Sequence, residues 1–287
     1  MSQQVLDDDE FTSQFHVYEP HRAGIPPIGP YVREVWRRRE FAAEMSRASM
    51  RAANTRTLFG QLWLVLNPLL LALVYFLLVN VLSGGGRGKE FFAHLTAGLF
   101  AFYYVSACMA TGAGSVIGAG KLLLNTAFPR LLLPLSAVRT AFYRFLPTIP
   151  VYLVIALWAG VPWSPNMLVA VYFLLCMTVF GAGMAAFFAT LQVYFRDTSS
   201  FLPYVLRIWL YLSPILYYTE DVPERFQTLS LYLNPFYSMM GGYGDALVRG
   251  TMPPPELFAI SAVWALLAFG VGSLWFMSRE RDFAVRI

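Results

Sequence analysis

The sequence predicts an all-α integral membrane protein with six transmembrane helices, and three observations lead there. The 287 residues are 57% hydrophobic and 16% aromatic but only 13% charged, where a soluble domain carries about a quarter charged residues. The charges bracket long uncharged runs, and about 20 apolar residues at 1.5 Å each suffice to cross a hydrocarbon core roughly 30 Å thick. Lys and Arg also gather in alternate connections, 17 of the 21 on one side, the bias that marks cytoplasmic loops.

Taken in order, residues 1–30 are acidic at Asp7, Asp8, Asp9 and Glu10 and then rich in Pro and Gly, the composition of a flexible cytoplasmic arm. No basic segment precedes an apolar core there, so no cleaved signal peptide is expected and the first span serves as its own insertion signal. Over residues 31–57, Arg33, Arg37, Glu40, Glu44, Arg47 and Arg51 recur every three or four positions, with Tyr31, Val35, Ala42 and Ala53 opposite. That spacing predicts one amphipathic helix, which either lies in the cytoplasmic interface or covers the cytoplasmic ends of the bundle.

Residues 58–278 hold the spans. Arg56 and Arg87 bracket the first (Leu58–Leu82), and Glu90 and Lys121 the second (Phe91–Gly112). The uncharged run from Arg144 to Arg196 is long enough for two spans, about Leu132–Gly160 and Asn166–Tyr194, turning at Val161-Pro162-Trp163-Ser164-Pro165. The fifth is Ser199–Tyr218, and the sixth is Leu257–Met277. Between them the chain stays rich in Tyr, Leu, Phe and Met, and Asn234-Pro235 divides it into two short re-entrant helices. Residues 279–287 form a tail. An even number of spans places both termini in the cytoplasm of a multi-pass plasma (inner) membrane protein.

Little here points to covalent chemistry. Gly114 to Lys121 superficially resembles a phosphate-binding loop, but its first Gly is one position too early, Leu122 stands where Ser or Thr would bind magnesium, and a membrane helix precedes it rather than a strand. His16, His21 and His94 are far apart, and Cys108 and Cys176 fall inside spans without metal-type spacing. Arg196 and Asp197 read as a local ion pair and helix N-cap. No cofactor, metal, catalytic residue or nucleic-acid partner is expected, and any ATP with its Mg belongs to a partner. Arg139, Arg144 and Arg207 lie at membrane depth, where an arginine either snorkels, pairs or meets an anionic head group. The aromatics at span ends fit an interfacial belt. They also fit a sugar-conducting passage, because a sugar ring offers C–H faces to an aromatic plane and hydroxyls to a tyrosine edge.

A series of landmarks then falls in order: Gly60-Gln61-Leu62-Trp63 with Asn67-Pro68, Gly98-Leu99, Phe128-Pro129-Arg130 with Leu133-Pro134, Phe195-Arg196-Asp197, Ser213-Pro214 with Tyr217, and Leu233-Asn234-Pro235. Through them, over roughly residues 30 to 280, the chain resembles the membrane subunits of ABC type-2 exporters, in the branch that moves O-antigen, teichoic acid and capsule-like polysaccharides. It departs from that pattern at Asn125 and Thr126, where basic residues often stand, and at Gly244 and Asp245, where an Arg is expected.

The resemblance implies a homodimer that works with two copies of a separate ABC ATPase subunit and exports a polysaccharide on a polyprenyl diphosphate lipid. Arg33, Arg37, Lys121, Asn125, Phe128, Pro129 and Arg130 would couple to the ATPase. Arg47, Arg51, Arg56, Arg144 and Arg207 would recognise the lipid diphosphate. Tyr75, Tyr103, Tyr104, Tyr211, Tyr217, Tyr218, Tyr232, Phe236 and Tyr237 would line the channel and its outer gate. The 19 Arg against 2 Lys suggest a GC-rich, actinobacterial source and a lipid-linked galactan destined for the cell wall. Two alternatives stand beside this reading: a drug or lipid exporter of the same superfamily, and a membrane-embedded glycan-modifying enzyme or scaffold.

Overall fold

A computed structural model describes residues 24–52, 60–82 and 84–286, and every regular element among them is helical. The long apolar runs become α3 (Trp63–Leu82), α4 (Lys89–Asn125), the pair α5 (Leu132–Phe145) and α6 (Thr148–Ala159), α7 (Val169–Tyr194) and α11 (Pro255–Arg279). These are the five units long and apolar enough to span a membrane. Local chemistry explains their breaks. Pro147 has no N–H to continue α5, so the chain restarts at Thr148. Gly160, at φ 77°, takes the left-handed position that ends α6, and the Val161 N–H then bonds the Ala156 carbonyl. In α4, Gly120 at φ 37° makes the kink near the C-terminal end of the helix.

The core is built around α4, α7 and α11. Gly183 of α7 and Gly272 of α11 let those two helices touch backbone to backbone, since a Cβ on Gly272 would sit 2.0 Å from the Gly183 carbonyl oxygen. Phe173, Phe180, Met177, Leu95 and Leu99 fill the space between. By contrast, α3 is peripheral: 11% of its apolar window is buried, against 83% for α4.

The expected fifth span is corrected. Helix α8 (Thr198–Leu212) stops at Ser213-Pro214, and its 15 residues reach about 22 Å, short of the roughly 30 Å hydrocarbon core. The chain still travels from one end of the bundle to the other. Near the start of α8, Tyr194 bonds Asp282 of the tail, and beyond its end Asp221 bonds Arg87. Two short helices follow, α9 (Glu224–Leu233) and α10 (Pro235–Leu247), divided at Asn234-Pro235.

The expected single N-terminal helix is corrected too. It is two helices, α1 (Ile28–Arg37) and α2 (Arg39–Ala52), and α1 already begins inside the expected arm. Arg38 stands at the break, its guanidinium on Glu34 and the Ala127 carbonyl, and Phe41 packs on Phe128 with ring centroids 4.7 Å apart. Ala42, Ala43 and Ser46 are buried, and Ser46 receives a hydrogen bond from Thr140. Thus α2 covers α5. The described helices end at Ala52, so the expected stretch from Ala53 to Thr57 and most of the arm lie outside the described residues.

Candidate functional site

Because α3 is held mainly by α4, it leaves a cleft between itself and α8. This cleft, about 430 Å³, is lined by Leu71, Tyr75, Phe102, Tyr103, Ser106, Leu206, Arg207 and Tyr211 among others. The Tyr75 and Tyr211 hydroxyls are 3.5 Å apart and their rings meet edge to face at 88°. Arg207 has no carboxylate partner among the described residues, and the Ser106 hydroxyl is buried without one. A second cleft of about 420 Å³ lies further toward the start of α3 and shares Leu71 and Tyr103 with the first. Arg144, Trp63 and Asn67 line it. Side chains from four segments far apart in sequence therefore form one tyrosine- and arginine-bearing surface, with apolar faces for ring stacking and hydroxyl edges for hydrogen bonding.

The rest of the aromatic set divides. Phe236 is corrected as a lining residue, being wholly buried against Phe102, Phe180 and Trp209, whereas Tyr104, largely buried with its hydroxyl bonded to Thr178, lines the second cleft. Tyr237 is likewise buried, its hydroxyl reaching the Thr219 carbonyl at 3.4 Å. These rings face the protomer's interior because aromatic residues in a span serve its core as readily as its surface. Tyr232 is exposed, and Tyr217 is half-buried with its hydroxyl on the Leu212 carbonyl at 2.8 Å. Burial pushes the Tyr217 phenol up to about 12.

Asn234 fastens this outer half. Its Oδ1 accepts from Trp209 Nε1 at 3.0 Å and from the Phe236 N–H at 3.1 Å, so it caps α10. Its Nδ2 donates to the Leu212 carbonyl at 2.9 Å, where α8 breaks off. Beside it, Tyr218 lies between two guanidiniums, Arg249 4.7 Å and Arg87 5.3 Å from its ring centre. Arg87 pairs with Asp221 at 2.8 Å, and Arg249 pairs with Glu220 at 2.7 Å and Asp245 at 3.7 Å. The Arg249 hydrogen bond holds the Glu220 carboxyl below its ordinary range. At Asp221 burial pushes upward, but the Tyr218 N–H and Arg87 together hold it low. Burial raises Asp245. His94 packs against the Tyr218 ring at 4.6 Å and contacts the Tyr217 carbonyl. The charge clamp was not anticipated from sequence; Arg87 and Asp221 are 134 positions apart, and neither carries a local signal of the other.

At the opposite end Phe128, Pro129 and Arg130 form the α4–α5 connection. Arg130 bonds the Glu280 carbonyl, the Tyr31 hydroxyl donates to Glu280 at 2.6 Å, and the Leu131 N–H reaches Tyr31 at 3.4 Å. Burial lowers the Arg130 pKa and raises that of Tyr31. Arg33 and Arg37 are exposed on α1, and Arg37 pairs with Glu34. On α2, Arg51 is exposed and Arg47 pairs with Glu44. Arg56 and the side chains of Lys121 and Asn125 lie outside the described residues. Asp197 is a correction: its side chain neither caps α8 nor pairs with Arg196 among the described residues, and the Phe195 carbonyl receives the Thr198 hydroxyl instead.

A family model described as ABC-2 type transporter matches residues 123–247, from the inner end of α4 through α10. The O-antigen export system permease protein RfbA of Myxococcus xanthus is 28% identical over 258 residues, 89% of this chain and 98% of that protein. A further similar protein, the O-antigen export system permease protein RfbA of Klebsiella pneumoniae, is 29% identical over 197 residues, 68% of this chain and 75% of the relative. The matched segment holds the α4–α5 connection, α8 with its break and the Asn234 hub, so it reaches both ends of the bundle, and the five long apolar helices fit a multi-pass membrane protein.

Proposed function

We propose that this permease is the membrane half of an ABC exporter that moves a polysaccharide on a polyprenyl diphosphate lipid across the plasma membrane. Two copies form the conduit, two copies of a separate ABC ATPase hydrolyse ATP, and six crossings leave both termini cytoplasmic. The carrying observation is the cleft between α3 and α8, which Tyr75, Tyr103, Tyr211 and Arg207 line together. Phe201, Tyr204, Ile208 and Tyr211 of α8 and Leu73, Val74 and Leu77 of α3 are also exposed in the single copy. A twofold mate would turn two such faces toward each other. The O-antigen relatives and the ring-and-hydroxyl chemistry support a glycan, and the arginine bias supports a galactan.

The test is ATP hydrolysis by the permease and its ATPase in liposomes, with lipid-linked galactan, other lipid-linked glycans and hydrophobic drugs as separate additions. A glycan-dependent change in rate that Tyr75→Ala/Tyr211→Ala abolishes, with basal hydrolysis kept, is expected. Response to drugs alone would replace this reading with a drug or lipid exporter.

A further inference from the structure

The cleft at the start of α3 has a feature the glycan passage does not use. Arg144 stands in the last turn of α5, its Nε buried with no hydrogen-bond partner, and no Asp or Glu lines the cleft around it. A guanidinium stays charged at any relevant pH, and an unpaired cation among apolar groups is costly. The Asn67 amide lines the same cleft, while Leu64, Leu71, Phe100 and Phe145 make the remainder apolar. The 20 residues of α3 reach about 30 Å, the thickness of the hydrocarbon core. Its end leads to the Asn80 and Arg87 rim, so its first turns, with Trp63 and Asn67, mark the opposite boundary. A cation, an amide and an apolar floor thus meet about one turn inside that boundary, within reach of a lipid phosphate drawn in beside α3.

We propose that this cleft binds the phosphate of a phosphate-bearing lipid, with Arg144 and Asn67 on the phosphate oxygens and the tail lying along Leu71 and Phe100. The guanidinium fork matches a phosphate in two parallel hydrogen bonds. This deepens the lipid-linked reading by naming a head-group site, but its test involves no transport, so failure here and failure of glycan-stimulated hydrolysis are separate results.

The experiment measures binding of dioctanoyl phosphatidic acid to the full chain in an uncharged maltoside micelle, by native mass spectrometry and calorimetry, with dioctanoyl glycerol and inorganic phosphate as parallel probes. Phosphatidic acid should bind well above dioctanoyl glycerol. Arg144→Gln should weaken it about tenfold or more, as expected for loss of a charge-assisted pair, and Arg225→Gln on α9 should leave it unchanged. Arg144→Lys, which keeps the charge without the fork, and Asn67→Leu, which keeps the arginine, should each weaken it severalfold and keep the test decisive if Arg144→Gln does not fold. Equal binding of dioctanoyl glycerol, or unchanged binding by Arg144→Lys and Asn67→Leu, overturns the proposal. Inorganic phosphate binding as tightly as the lipid would overturn its lipid part and make the site one for free phosphate.

Discussion

The two ends of the bundle use charge in opposite ways. At the outer end, Arg87 and Arg249 are both committed within the protomer, to Asp221, Glu220 and Asp245, and both also lie over Tyr218. At the inner end, Arg130 is tied to Glu280, but Arg33 and Arg51 extend outward with no described acidic partner. Paired charge fixes a segment in place; surplus charge leaves a surface ready for something else, whether anionic lipid or a second protein. The outer turn at 218–221 therefore reads as a held structure, and the inner face as a docking face.

The largest way to break this contrast is at the outer hub. Asn234→Ala removes the cap of α10, leaves Trp209 Nε1 short of a partner and takes one of two donors from the Leu212 carbonyl, which keeps the Tyr217 hydroxyl. Loss of one cap and two partly buried hydrogen bonds is expected to cost about 2–4 kcal/mol, read as a lower thermal midpoint of the purified permease. Asn234→Asp keeps the acceptor to Trp209 and Phe236 but loses the donor to Leu212, and should cost roughly half as much. If the two variants melted alike, the hub reading would be wrong.

A smaller effect sharpens the same end. Arg87→Gln with Arg249→Gln should cost about 1–2 kcal/mol, since both pairs are partly exposed. It should also change the acid limb of the stability curve. Glu220 and Asp221 have carboxyl pKa values below their ordinary range. Their contribution is therefore present above the unfolded value of about 4 and is lost as pH falls through the lower folded values. Asp245, raised by burial, acts with the opposite sign, so the clamp weakens on acidification by the balance of two carboxyls against one. Melting midpoints followed downward from pH 5 should fall less steeply in the double variant than in the parent.

Much of this contrast could be read from the residues before any coordinates. The uncharged runs give the long helices, and Asn234-Pro235 gives the break between α9 and α10. What could not be read is direction and long-range pairing. An aromatic looks the same whether it faces the core or the cleft, which is why Phe236 and Tyr237 stood beside Tyr75 and Tyr211 as lining. The helical period of residues 31–57 continues unbroken through Arg38, while the structure breaks there, where Arg38 and Phe41 meet Ala127 and Phe128, almost 90 positions away. The length of α8 was overread because Leu216, Tyr217 and Tyr218 continue its apolar composition after Pro214 has already ended its hydrogen bonding.

The smallest expected stability effect lies at the inner end, and it carries the most weight for function. Arg51 is exposed on α2 and Arg47 has only its neighbour Glu44. Exposed pairs of this kind contribute about 0–1 kcal/mol, so Arg47→Gln/Arg51→Gln/Arg56→Gln should leave the melting midpoint almost where it was. The buried side of α2, Ala42, Ala43 and Ser46 against α5, is untouched by the change, and assembly with the ATPase should persist in a pull-down. If these arginines meet the lipid diphosphate, stimulation of ATP hydrolysis by lipid-linked glycan should drop severalfold and parent stimulation should weaken with salt, because charge at an exposed surface is screened within about 8–10 Å at physiological ionic strength. A triple variant that is stable, assembled and fully stimulated would mean that the inner surplus charge serves orientation in the membrane alone, and that recognition of the substrate's phosphates begins deeper, at the start of α3.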